Sequence, residues 1–127
     1  MQPINFYDDS DRQGREPQDV RLNQLGLFVY EDGRRIAVGF NITPFRERPS
    51  IEVIANNERG QPAGSLTIIE ALQPNFSLTM HLRDASPTEE YTIRAELYYV
   101  DSDGERQVVD SKETTVDVTT PGEKIVS

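Results

Sequence analysis

Phe76-Ser77-Leu78-Thr79-Met80-His81-Leu82-Arg83 sets an apolar side chain at every even position and a polar one at every odd position. A period of two marks a β-strand with one face on a core, because successive side chains leave a strand on opposite sides. The expectation is that Phe76, Leu78, Met80 and Leu82 point inward. On that phase Leu78→Ala, like Leu97→Ala elsewhere, costs about 2–5 kcal/mol, and a change at Thr79 costs little. Residues 91–100 repeat the pattern, with Ile93, Ala95, Leu97 and Tyr99 expected inside. So do residues 35–42, where Ile36, Val38, Phe40 and Ile42 share one face. The pair Asp32-Gly33 joins that strand to a first strand over residues 21–30, since both residue types tolerate the turn a hairpin needs.

Further strands are expected over residues 51–55 and 65–72, separated by the turn-rich stretch 56–64, and a long last strand ends near Val118. Pro44 and Pro49 bracket the loop after the second strand, where proline stops a ladder from continuing. No segment has helical periodicity and none repeats, so the strand spacing points to a sandwich or barrel. Seven strands in about a hundred residues fit a two-sheet antiparallel sandwich of the immunoglobulin-like class. Residues 20–118 are expected to form this domain, residues 1–19 a flexible polar, acidic N-terminal arm, and residues 119–127 a flexible C-terminal tail. Within the arm, Ile4, Phe6 and Tyr7 are the apolar exceptions.

The stretch Leu82-Arg83-Asp84-Ala85-Ser86-Pro87-Thr88-Glu89-Glu90-Tyr91-Thr92-Ile93-Arg94-Ala95 resembles the corner of fibronectin type III and related immunoglobulin-like domains. A Pro-containing loop there crosses between sheets, and a Tyr opens the penultimate strand two residues before a buried position. The resemblance implies that Tyr91 anchors the corner by giving its hydroxyl to nearby backbone. Ile93 stands where antibody domains carry cysteine, so the likeness is to the branches without disulfides.

Composition narrows the function. The 127 residues hold 22 acidic and 13 basic side chains, a formal charge of −9. Such a surface repels phosphate backbones and anionic membranes, so neither nucleic acid nor membrane is an expected partner. The absence of cysteine excludes disulfides, thiolate metal sites and cysteine nucleophiles. The sequence has no signal-peptide pattern and no run of eighteen apolar residues. The expected compartment is the cytoplasm as the chain is written, or the exterior if it is excised from a longer exported protein.

No catalytic, cofactor or metal site is expected. His81, the sole histidine, lies on the outward phase of its strand, without a nucleophile elbow to serve. Asp101, Asp103 and Glu105 around Gly104 superficially resemble a calcium loop, but they lack the spacing of one and suit a tight hairpin. The residues best placed for recognition are Phe45, Arg46 and Arg48 in the proline-bracketed loop, where a guanidinium on a restrained backbone can meet a carboxylate or a ring. Phe28, Tyr30 and Tyr98, off the inward phase, form an expected exposed aromatic patch. The first strand, poor in charge, is the expected edge for contact with the arm's Ile4 and Phe6 or with a second subunit in a weak homodimer. The reading is a non-catalytic protein-interaction or structural module whose partner is another protein or itself. The alternative is a module that binds carbohydrate or calcium at the loop ends.

Overall fold

The computed structural model describes residues 14–127; Ile4, Phe6 and Tyr7 lie outside the described residues. Eight strands alternate with turns: β1 Leu22–Val29, β2 Arg35–Ile42, β3 Ser50–Asn56, β4 Pro62–Ile68, β5 Asn75–His81, β6 Glu90–Val100, β7 Arg106–Asp117 and β8 Lys124–Val126. They form two four-stranded antiparallel sheets, ordered β5-β2-β1-β8 and β4-β3-β6-β7. The chain is therefore an all-β antiparallel sandwich. No helix among the described residues is long and apolar enough to cross a membrane.

Alternation dictates the core. Ile36, Val38, Phe40 and Ile42 of β2 and Leu25, Leu27 and Val29 of β1 face Ile51, Val53 and Ala55 of β3 and Ile93, Ala95 and Leu97 of β6, all buried. The Asp32-Gly33 hairpin forms as expected, with the Tyr30 N–H donating to the Arg35 carbonyl (3.0 Å) and the Asp32 carboxylate accepting the Arg34 N–H (2.9 Å).

Several expectations need correction. The strand count is eight, because residues 119–127 are not a loose tail: Lys124–Val126 pairs with β1 from Gly26 to Phe28. The Ser127 N–H donates to the Leu25 carbonyl at 2.9 Å, and Ile125 packs on the core. The first strand is therefore covered and is not an edge of its sheet. The fourth strand starts at Pro62 and stops at Ile68, so Ile69 and Leu72 leave the sheet and stand exposed. Residues 14–19 of the arm are tied down: Arg15 bridges to Phe45, and its N–H donates to the Pro44 carbonyl at 2.8 Å. A side chain on Gly14 would collide with the Phe45 backbone.

Leu78 is the instructive miss. Its phase is inward, yet it is 41% exposed. β5 is an edge strand, and β4, the edge strand opposite it, diverges before it can cover Leu78. Near Met80 the two edges meet: the Arg83 N–H donates to the Ala63 carbonyl at 2.6 Å, and a Cβ on Gly64 would stand 2.5 Å from the His81 carbonyl oxygen. The side of the sandwich bounded by β4 and β5 is thus shut at one end and open at the other. On the far side, the Asp110 carboxylate accepts the Leu22 N–H at 2.8 Å, linking β7 to β1.

The packing separates two leucines that alternation alone treats alike. Leu97→Ala should destabilise by about 2–5 kcal/mol, and Leu78→Ala by about 1 kcal/mol or less because much of the side chain is already in water. Urea denaturation of the two variants checks this, and equal losses would contradict the open edge.

Candidate functional site

The six residues nominated for recognition divide among three places. Phe28 and Tyr30 lie on the outer face of the first sheet, edge to face with ring centroids 5.8 Å apart. The Arg35 guanidinium covers Tyr30 at 4.4 Å, and both rings are half-buried. Phe45 turns inward and packs on the core. Arg46, Arg48 and Tyr98 meet in a cleft of about 410 Å³, together with Ser50, Ile69 and Tyr99.

Tyr98 is not part of an exposed patch. It takes the outward phase of the second sheet, opposite to the face that carries Phe28 and Tyr30, and is only 4% exposed. Its cover is Arg106, whose guanidinium lies 4.0 Å from the ring centroid and is held by Glu52 at 2.8 Å and Glu96 at 3.5 Å. A bulge between Leu97 and Tyr98 brings Val108 opposite Tyr98. Beside it the Tyr99 hydroxyl donates to the Glu47 carbonyl at 2.8 Å. Burial, with the Glu47 charge, pushes the Tyr99 phenol up to about 12. Arg46 is partly engaged, donating to the Gly14 carbonyl at 3.3 Å and pairing with Glu16 at 3.5 Å.

The feature that alternation did not single out is the open side. Ile68, Ile69, Ala71, Leu72, Phe76 and Leu78 line a groove of about 310 Å³ between β4 and β5, continuous with the Arg46–Arg48 cleft through Ile69 and Glu70. Phe76 stacks on Phe40 at 4.8 Å and so forms the floor. Ile69 is 66% and Leu72 78% exposed. The signal was present in the run Ile68-Ile69-Glu70-Ala71-Leu72, where two adjacent apolar residues break the period of two. Glu70 takes a left-handed backbone (φ 51°), and its N–H donates to the Ser50 hydroxyl at 3.1 Å, turning the chain out of the sheet.

The opposite end of the sandwich is closed by polar groups. The Tyr91 hydroxyl donates to the Asp84 carboxylate (2.9 Å) and accepts from the Thr88 N–H (3.3 Å) and Arg34 (3.2 Å). The corner is therefore anchored mainly on a carboxylate, not on a backbone carbonyl. Arg34 pairs with Asp84 at 3.0 Å and also donates to the Leu82 carbonyl at 2.9 Å. Asn57, itself buried, donates to Asp84 at 3.2 Å. Burial pushes the Asp84 carboxyl up, but the hydrogen bonds from Asn57, Tyr91 and Arg34 outweigh it and hold the group below the usual aspartate value.

Asp101 spends its carboxylate on its own turn, accepting the N–H groups of Asp103 and Glu105, both at 2.9 Å, and the Gln107 amide at 3.0 Å. Those bonds, the Glu105 N–H foremost, lower its pKa. Among the described residues no three His, Asp or Glu side chains are placed to share a metal ion. His81 sits exposed on β5, paired across the ladder with Arg35.

No protein-family model matches the chain, and no curated protein matches it. Among solved structures it is similar to a glycosyl hydrolase family 2 member from Bacteroides cellulosilyticus DSM 14838, at TM-score 0.50 and 7% identity, over 78% of this chain and 15% of that one. A β-glucuronidase from Lactobacillus rhamnosus aligns at TM-score 0.47 and 14% identity, over 78% of this chain and 16% of that one. At these identities the first likeness is one of fold, and the chain spans a small fraction of the enzymes it overlays.

The Asp84 cluster has a pH signature. Because its folded pKa is depressed, the stabilisation is fully present above the unfolded value of about 4 and is lost as the pH falls through the lower folded value. Asp84→Asn should cost about 2–3 kcal/mol at pH 7 and flatten the loss of stability between about pH 5 and 2 relative to the parent chain. Parallel curves in acid, measured by urea denaturation at each pH, would contradict the assignment.

Proposed function

We propose that this chain is a non-catalytic β-sandwich module, of the fibronectin type III-like kind, that works by docking another protein in the groove between β4 and β5. Three supports stand behind the kind. Strands β1, β2 and β5 share one sheet and β3, β4, β6 and β7 the other; a Tyr opens β6 at the corner between them; and the core is free of cysteine. The observation that carries the docking is the contiguous exposure of Ile69, Leu72 and Leu78 over an aromatic floor. Folded proteins seldom leave clustered large aliphatic side chains in water unless something covers them. The adjoining cleft adds Arg48 and the Tyr98–Tyr99 pair at its rim, the polar border that interfaces commonly have around an apolar centre.

A second reading has its own observation. Across the outer face of the first sheet, Val126, Gly26, Gly39 and Ser77 stand side by side and form a trough of about 230 Å³ beside Phe28. Gln24, Asn41 and Asn75 line its continuation. A flat floor next to an aromatic ring and a row of amides suits a sugar ring, which stacks through its C–H face and hydrogen-bonds through its hydroxyls. On this reading the chain is an accessory sandwich domain of a carbohydrate-active protein, as its overlay on part of a glycosyl hydrolase suggests.

A photo-crosslinking residue at Leu72, compared with one at Thr115 on β7, tests the leading reading in cells of the source organism. A discrete polypeptide adduct at Leu72 only, lost on Ile69→Asp, is the expected result; the same adducts at both positions would contradict it. Glycan-array binding abolished by Phe28→Ala, with no adduct at Leu72, would establish the sugar-binding alternative.

A further inference from the structure

The edges of the two sheets are not alike. β4 (PAGSLTI) and β5 (NFSLTMH) contain no Asp, Glu, Lys or Arg. The edges on the far side carry Arg106, Asp110, Lys112, Glu113 and Asp117 in β7 and Lys124 in β8. Charge on an edge strand opposes pairing with another strand. In a chain of net charge −9, two copies repel where their acidic surfaces meet, and β5 is an edge they can share with no charge on either strand.

The β5 ladder shows which main-chain groups are free. At its two ends the Ile42 N–H donates to the Pro74 carbonyl and the Leu82 N–H to the Arg34 carbonyl, both at 2.8 Å. Between them Phe40 faces Phe76, Val38 faces Leu78 and Ile36 faces Met80. The even-numbered residues of β5 therefore bond to β2, and the odd-numbered ones aim their N–H and C=O groups away from the sheet. β4 takes one end of that outer edge, where the Arg83 N–H meets the Ala63 carbonyl and Gly64 lies against the His81 carbonyl. Residues 75–79 remain. Among the described residues the outward main-chain groups of Asn75, Ser77 and Thr79 have no partner, and Ser77 is their centre.

We propose that β5 pairs antiparallel with the β5 of a second copy of this chain, across a two-fold axis at Ser77. On that axis Ser77 stands opposite Ser77 and Asn75 opposite Thr79, and each such pair exchanges two main-chain hydrogen bonds. Phe76 then stands opposite Leu78 of the second copy, at the non-hydrogen-bonded position where cross-strand side chains come closest. A register centred on Leu78 would instead run the second strand past His81, where β4 stands. Two four-stranded sheets join into one of eight, and the two apolar grooves open onto each other, so that the exposed Ile69, Leu72 and Leu78 leave water together. This deepens, and rests on, the docking reading: the protein docked is a second copy.

Sedimentation of the full chain across a hundredfold dilution, with three full-length variants, tests it. The parent should pass from dimer to monomer on dilution. Ser77→Pro removes an outward N–H that the β2 ladder does not use, and Leu78→Lys puts a charge on the shared edge; each should be monomeric at concentrations where the parent is dimeric. Leu78→Lys decides the matter if Ser77→Pro fails to fold. The third variant reads the register. Across a hydrogen-bonded pair the Cα atoms stand about 5.5 Å apart, within disulfide reach, so in a chain without cysteine Ser77→Cys should oxidise to a covalent dimer at least about tenfold faster than Thr115→Cys on β7. A monomer at every concentration, a dimer that survives Leu78→Lys, or equal oxidation at the two positions would overturn the proposal. The Leu72 cross-link separates it from the docking reading: a monomer with a foreign adduct at Leu72 sinks the second copy alone, and a monomer with no adduct specific to Leu72 sinks both.

Discussion

The Asp84 carboxylate is the constraint on which this sandwich turns. It is nearly sealed from water, with 5% of its side chain exposed, and it gathers groups from both sheets. Arg34 comes from the β1–β2 hairpin, Asn57 from the β3–β4 turn and Tyr91 from the start of β6. A buried charge without partners is costly, so each of these groups is obliged to stay in place. Arg34 keeps a third of its side chain in solvent, which lowers the desolvation cost of the pair. Next to this cluster the missing side chain of Gly64 lets β4 reach the β5 backbone. The two sheets are thereby locked at one end.

Locking one end shapes the other. From the Gly64–His81 contact β4 and β5 diverge, and Glu70 bends the chain away before Leu78 and Phe76 are covered. The groove is a consequence of where the sheets are fastened, and part of its apolar lining, Ile68, Phe76 and Leu78, has the phase that would make it core in a closed sandwich. The far side shows what closure looks like, with Asp110 reaching across to the Leu22 N–H and charged side chains along β7. One side of the molecule is defended against strand pairing and the other is not. That asymmetry links the fold to the proposed docking.

Much of this was legible in the sequence because it is local. The phase of β2, β5 and β6 and the Asp32-Gly33 hairpin depend on spacing within a dozen residues, and the structure has each of them; the Tyr91 hydroxyl is anchored, but it donates to the Asp84 carboxylate and not to backbone. What escaped depends on contacts distant in the chain. Tyr98 reads as exposed until Arg106 is seen to lie over it; Leu78 reads as buried until β4 is seen to leave. β8 is only three residues long, too short for alternation to mark, and exists because β1 offers it an edge. Phe45, read as a recognition residue, packs on the core, and the backbone of its loop is bridged by Arg15. The Arg34, Asn57, Asp84 and Tyr91 cluster joins four segments, of which only Tyr91 carried a recognisable context.

The most direct measurement of this account is a double-mutant cycle between Arg34→Gln and Asp84→Asn, read by urea denaturation at pH 7. If the buried carboxylate and its guanidinium partner fasten the hairpin to the corner, the two changes are non-additive, with a coupling of about 1 kcal/mol or more. Additivity to within about 0.3 kcal/mol would show that the two side chains do not act together, and the account of a sandwich locked at one end and open at the other would lose its foundation.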